Sequence, residues 1–160
     1  MEESNDLDNQ DHAGVEFRPP VMLVAALAIG FILRWIWQMA FLPLFIMITF
    51  GPLIVMVAFG IFFWAAYAMR YEKTSIRTDR PTDVIVTHGP YALSRNPIYV
   101  AMLLLLAGVG VWVNSFWFFI VAIVCSRLLY RGVIVPEERY LERTFGSTYS
   151  EYRARVRRWL

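Results

Sequence analysis

The chain has little of what chemistry in water ordinarily uses. It has a single cysteine, Cys125, which excludes an intrachain disulfide and a cysteine-based zinc site. Its two histidines, His12 and His88, are far apart in sequence and show no metal-ligand spacing, so no metal ligands are expected. A formal net charge of +2 is too small to indicate a nucleic-acid partner, and the basic residues sit beside apolar segments. The first residues, Met1 to Arg18, lack the basic start and directly following apolar stretch of a secretory signal. They carry Glu2, Glu3, Asp6, Asp8, Asp11 and Glu16, and are expected to form a disordered acidic tail that contributes little to function.

Charge is also missing from long stretches. Between Val21 and Met69 the only charged side chain is Arg34, and between Pro97 and Ser126 there is none. With 58% hydrophobic residues and a mean hydropathy of +0.49 across 160 residues, too little polar sequence remains to cover these runs as a soluble core. A helix of about 20 apolar residues crosses a hydrocarbon layer roughly 30 Å thick. The expectation is an all-α polytopic membrane protein in one domain, 19–160. About four spans are expected, near 21–37, 44–69, 97–113 and 116–135, and a cytoplasmic amphipathic helical segment follows over 137–160. The alternative is three spans, with the first two runs merged around a re-entrant segment. Pro19-Pro20 suits a helix start. Gly51-Pro52 is expected to interrupt the second run, splitting off a short interfacial piece. Asn114-Ser115 can form a tight hairpin.

Orientation follows from the bases. Arg70, Lys73, Arg77, Arg80 and Arg95 lie between the second and third runs, and Arg139, Arg143, Arg153, Arg155, Arg157 and Arg158 lie in the tail. The positive-inside bias places both termini and the long loop in the cytoplasm, as expected for an integral protein of a cell's inner membrane.

Two segments at that cytoplasmic edge depart from membrane filler. The first runs from Thr82 to Tyr99. Its Gly89-Pro90 is a turn signal, and Asn96-Pro97 matches an N-cap followed by proline at the first helical position. Such a helix start either caps itself or presents N–H groups to an anion. The second runs from Pro136 to Tyr152, after a helix carrying Arg127 and Arg131 on one face. Arginine inside a span snorkels, pairs or lines a wet cavity. Pro136 is expected to kink the helix, so helical phase leaves both Glu137 and Glu138 open as partners. Tyr140, Leu141, Phe145, Tyr149, Tyr152, Val156 and Trp159 recur at helical spacings, which suits an interfacial helix.

His88-Gly89-Pro90-Tyr91, Ser94-Arg95-Asn96-Pro97-Ile98-Tyr99, Pro136-Glu137-Glu138 and Phe145-Gly146 with Tyr149 and Tyr152 together resemble the isoprenylcysteine carboxyl methyltransferase family. The related phospholipid N-methyltransferases of the same membrane superfamily are similar. The resemblance covers about Thr82 to Leu160. It implies an S-adenosylmethionine pocket at the cytoplasmic edge, lined by Val84, Ile85, Val86, Tyr91, Arg95, Asn96, Pro97, Ile98 and Tyr99, with Glu137 in preference to Glu138 as the cofactor-binding glutamate. It further implies a lipidic or lipid-attached acceptor arriving from the bilayer. Arg131 or Arg127 would orient an acceptor carboxylate, which needs no general base. Where the family commonly has Arg-His-Pro, this chain has Arg95-Asn96-Pro97, and asparagine does not titrate near neutrality.

Overall fold

The computed structural model describes residues 18–71 and 85–160. The acidic tail, the bases Lys73, Arg77 and Arg80, and Val84 of the expected pocket lie outside the described residues. Within them the fold is all-helical. Helix α1 spans Pro19–Ile36, α2 Leu44–Tyr71, α3 Pro97–Trp112 and α4 Trp117–Leu129, and a π turn over Tyr130–Ile134 leads into α5, Val135–Arg155. A short 3₁₀ turn, Gly89–Ala92, precedes α3. Helices α1 and α2, and the continuous helix Trp117–Arg155, are each long and apolar enough to cross a membrane. α3 is apolar but has 16 residues, roughly 24 Å of helix.

The side chains agree with a lipid surround. Val24, Ile32, Trp35, Phe45, Met56 and Phe63 are among many large apolar groups facing outward from α1 and α2. In water an apolar surface of that extent would drive aggregation, whereas in a bilayer it is the outer wall.

Inside, helices meet through small residues, as expected where lipid supplies no hydrophobic force between them. α2 turns Gly51, Ala58, Ala65 and Ala68 toward the interior, and α3 presents Ala101, Gly108 and Gly110. A Cβ on Gly51 would lie 2.5 Å from the Trp112 Cα, and one on Gly108 would lie 2.9 Å from Ile54. Gly30 of α1 receives the Phe118 ring of α4 in the same way. The core then closes around Leu106, Phe118, Leu129, Val133 and Ile134, all fully buried.

Two local expectations are corrected, at Gly51-Pro52 and at the C-terminus, and a third takes a specific form. α2 runs unbroken through Gly51-Pro52. Proline there forfeits one backbone bond, but the close seat of Gly51 on Trp112 holds the two helices together across that point. At Pro136 the irregularity in the helix is a π turn over Tyr130–Ile134, and the proline occupies the first turn of α5 directly after it. The C-terminal segment is also not one helix to residue 160. Gly146 takes φ 51°, ψ −120° inside α5, and the helix ends at Arg155 with Val156 extended.

Pro19 does open α1, and Asn114 does form the α3–α4 turn, at φ 50°. Asn114 also stitches that turn to the α1–α2 connection. Its Oδ1 accepts the Phe41 and Leu42 N–H groups at 2.9 Å each, and its Nδ2 donates to the Leu42 carbonyl at 2.9 Å. The Trp117 indole donates to the Trp37 carbonyl at 2.8 Å, and Phe116 N–H donates to that of Met39. Asn114→Ala removes three bonds and strains the left-handed backbone. It should lower stability in detergent by about 2–4 kcal/mol. Asn114→Gly, which keeps the backbone conformation, should lose less. Thermal unfolding midpoints of the two variants provide the comparison.

Candidate active site

The candidate site gathers at the end of the bundle opposite Asn114, where residues 85–96 meet α5 and the chain's last residues. The 3₁₀ turn begins at Gly89, whose φ of 60° suits glycine and where an added Cβ would lie 3.3 Å from the Trp64 indole nitrogen of α2. Tyr152 O–H donates to the Tyr91 carbonyl at 2.7 Å, fastening this turn to α5. Val86, Ser94, Asn96, Pro97 and Tyr99 are buried, and Ile85, Tyr91, Arg95 and Ile98 are partly so.

Asn96 stands at the N-cap position of α3, yet its side chain makes no capping bond. The Ser94 hydroxyl accepts the Asn96 N–H instead, at 3.1 Å. The Asn96 amide donates outward, 2.9 Å to the Arg158 carbonyl. Ser94 Oγ donates to the same carbonyl at 3.3 Å, and Arg95 N–H donates to that of Arg157 at 3.0 Å. The stretch after α5 is therefore a strap across the Ser94–Asn96 loop. That role, rather than helix formation, explains why residues 156–160 leave helical geometry.

The two glutamates part ways. Glu138 is buried, at 8% exposure, and ion-paired. Arg158 grips it with both arms, Nε to Oε1 at 2.8 Å and Nη2 to Oε2 at 2.7 Å. Arg95 Nη1 also approaches Oε1 to 2.9 Å and donates to the Tyr149 hydroxyl at 3.3 Å. The arginines on Glu138 thus come from the loop and the strap, not from Arg127 or Arg131, which are both exposed. The π turn accounts for this, because its extra residue per turn defeats phase counting from Arg127.

Glu137 points to Tyr99, whose hydroxyl lies 3.0 Å from both carboxylate oxygens. Among the described residues one O–H shared between two oxygens leaves most of the acceptor capacity of the carboxylate unused. The apolar run of the fourth helix ends at Val135, so Glu137 lies just beyond the span. Burial pushes its carboxyl up to about 7 from an ordinary 4.5, against the lowering effect of the Tyr99 bond and with a further push from the Glu138 charge. Burial, then the Glu137 charge, also raises the Tyr91 phenol.

The structure therefore brings Tyr91, Arg95, Asn96, Tyr99, Glu137 and Glu138 to one end and leaves Arg127 and Arg131 on the exposed helix surface. Reasoning from sequence missed Arg158, Ser94 and Tyr130, whose ring lies 5.1 Å below the Arg158 guanidinium. Tyr149 and Tyr152 belong both to the amphipathic spacing and to the Phe145-Gly146 motif, and the structure adds their partners, Arg95 and the Tyr91 carbonyl.

Chemically, this end offers a half-buried carboxylate with acceptor sites unused among the described residues and a buried guanidinium. The Arg95 side chain is 9% exposed, and its Nε meets no acceptor among the described residues. Such a pair suits the ammonium and carboxylate of an amino-acid group.

A profile of the family described as phospholipid methyltransferase matches residues 46–148, from α2 to beyond Gly146. The chain is 36% identical over 77 residues to a cobalt-zinc-cadmium resistance protein, CzcN, of Cupriavidus metallidurans, a match covering 48% of this chain and 35% of that protein. It thus spans about a third of the length of that relative. A Haemophilus influenzae protein without an assigned function is 33% identical over 63 residues, 39% of this chain and all of its own length. No solved structure matches the chain.

Proposed function

The chain belongs to the phospholipid methyltransferase family, and from that premise we propose that it is an integral membrane methyltransferase using S-adenosylmethionine. The observation that carries this reading is the presence at one end of Glu137, a half-buried carboxylate whose one bond among the described residues is from Tyr99, and Arg95, a buried guanidinium whose Nε has no partner among them. Glu137 would hold the ammonium of the methyl donor and Arg95 its carboxylate. When bound, the donor supplies an electrophilic methyl group on a sulfonium, with the C–S electron pair staying on sulfur. The protein's task is then alignment and exclusion of water. Tyr99 and Tyr91 wall the Glu137 carboxylate, and the strap closes the loop side.

The acceptor in this reading is lipidic and arrives from the bilayer at the cytoplasmic edge. A carboxylate is favoured as its reactive group, because it is ionised at neutral pH and Arg131 or Arg127, both exposed near the helix exit, could orient it. A phospholipid amine is the second reading, supported by the description of the matched family. It would need a proton acceptor, and in the first reading Glu137 is occupied by the donor. Transfer of a labelled methyl group from S-adenosylmethionine to native membrane extract should yield base-labile ester label on the first reading and base-stable lipid label on the second. No label in either form, with no S-adenosylmethionine binding to the purified protein, would overturn the enzymatic reading.

Tyr99→Phe offers a finer check. Its lost hydroxyl currently holds the Glu137 carboxyl down. The variant should therefore need a higher pH for half-maximal S-adenosylmethionine binding than the wild type, as pH titration of binding would show.

A further inference from the structure

Glu138 has two guanidinium partners, and their division of it is unequal. Arg158 takes both oxygens in a fork, whereas Arg95 touches one oxygen through Nη1 and keeps its buried Nε unpaired. Among the described residues, two cations and one carboxylate leave this cluster one positive charge in excess. Arg158 itself is fixed from three sides. Its carbonyl is gripped by Asn96 and Ser94, its guanidinium lies over the Tyr130 ring of the π turn, and its fork lies on Glu138. An arginine fork matches a carboxylate edge in a way a point charge cannot.

We propose that Arg158 is a positioning residue that saturates Glu138 and so leaves the Nε edge of Arg95 open as a binding site for the carboxylate of the methyl donor. Without Arg158, the buried Glu138 would turn its full edge to Arg95, engaging Nε and cancelling its charge. The anion site would close although Arg95 remained in place. This assignment rests on the reading of S-adenosylmethionine as the donor and adds to it a residue that never needs to touch the ligand.

The test compares S-adenosylmethionine with decarboxylated S-adenosylmethionine, which keeps the sulfonium and the ammonium but has no carboxylate. Both are titrated by calorimetry into the purified full chain. Arg158→Gln should weaken S-adenosylmethionine about 10- to 100-fold, the range set by one charge-assisted contact, and change the decarboxylated probe by less than about threefold. Glu138→Gln combined with Arg158→Gln should recover most of that loss, because Arg95 is then released. Arg158→Lys should fall between, since an ammonium does not fork.

Equal weakening of both probes would overturn the assignment, since a purely structural strap would act on both. A double variant as weak as Arg158→Gln alone would overturn it too. If the wild type bound neither probe, the donor itself would be wrong and the assignment would fall with it. If the wild type bound both and only the variant pattern failed, the donor reading would stand without Arg158.

Discussion

Glu137→Gln is expected to weaken S-adenosylmethionine binding by about 2–5 kcal/mol, roughly 30- to 4,000-fold, because it removes the anionic partner of a desolvated ammonium. The substitution keeps size and an acceptor oxygen, so the fold should persist. The pH dependence makes the prediction specific. In the ligand-free protein burial holds the Glu137 carboxyl near 7, so below that pH it is mostly protonated and neutral. A cation favours the ionised form, and binding must then expel a proton. Wild-type affinity should therefore rise about tenfold per pH unit below 7 and level off above it. Proton release, read from calorimetry in buffers of different ionisation enthalpy, should approach one below pH 7 and fade above it. Glu137→Gln should be flat across the same range. A wild-type profile without slope between pH 5.5 and 7.5 would separate this carboxylate from the ligand.

The second large effect is structural. Gly51→Leu should disrupt the α2–α3 contact, because even a Cβ there would sit 2.5 Å from Trp112 Cα and 2.7 Å from its N. The nearest atoms are the Trp112 Cα, Cβ and N, which are fixed to the helix and cannot step aside as the end of a side chain can. Overpacking ordinarily costs about 1–3 kcal/mol, and a helix-backbone clash belongs at or above the top of that range. The unfolding midpoint in detergent should fall sharply, and the purified fraction should aggregate. Gly60→Leu, where a Cβ meets nothing within 4 Å, is the control and should change little. Equal stability of the two variants would contradict the packing described.

Much of the fold was legible because the bilayer imposes a simple demand. Uncharged runs of sufficient length announced α1, α2 and the fourth helix. Pro19 and Asn114 marked boundaries through local backbone preferences that need no tertiary partner. The failures share a cause of the opposite kind. Gly51-Pro52 reads as a break until Trp112 is seen to pack on it, sixty-one residues away in sequence. Pro136 marks an irregularity in the helix, but that it takes the form of a π turn leaves no signature in hydrophobic spacing. Asn96 has the identity of a cap, but its partner is the Arg158 carbonyl. In the site, family resemblance singled out the loop and the glutamate pair. It did not separate their partners, since Tyr99 on Glu137 and Arg158 on Glu138 are long-range choices made by packing.

The stitch at Asn114 has a mechanical consequence. It pins the α1–α2 and α3–α4 connections to each other through the side chain of a single residue. α2, at 28 residues, is about 42 Å long. From the pinned turn inward it lies against α3 where Gly51 meets Trp112 and Ile54 meets Gly108, and its Trp64 meets Gly89 at the candidate site. One asparagine therefore fixes the register at which this packing begins, and with it the height at which α2 reaches the loop before α3.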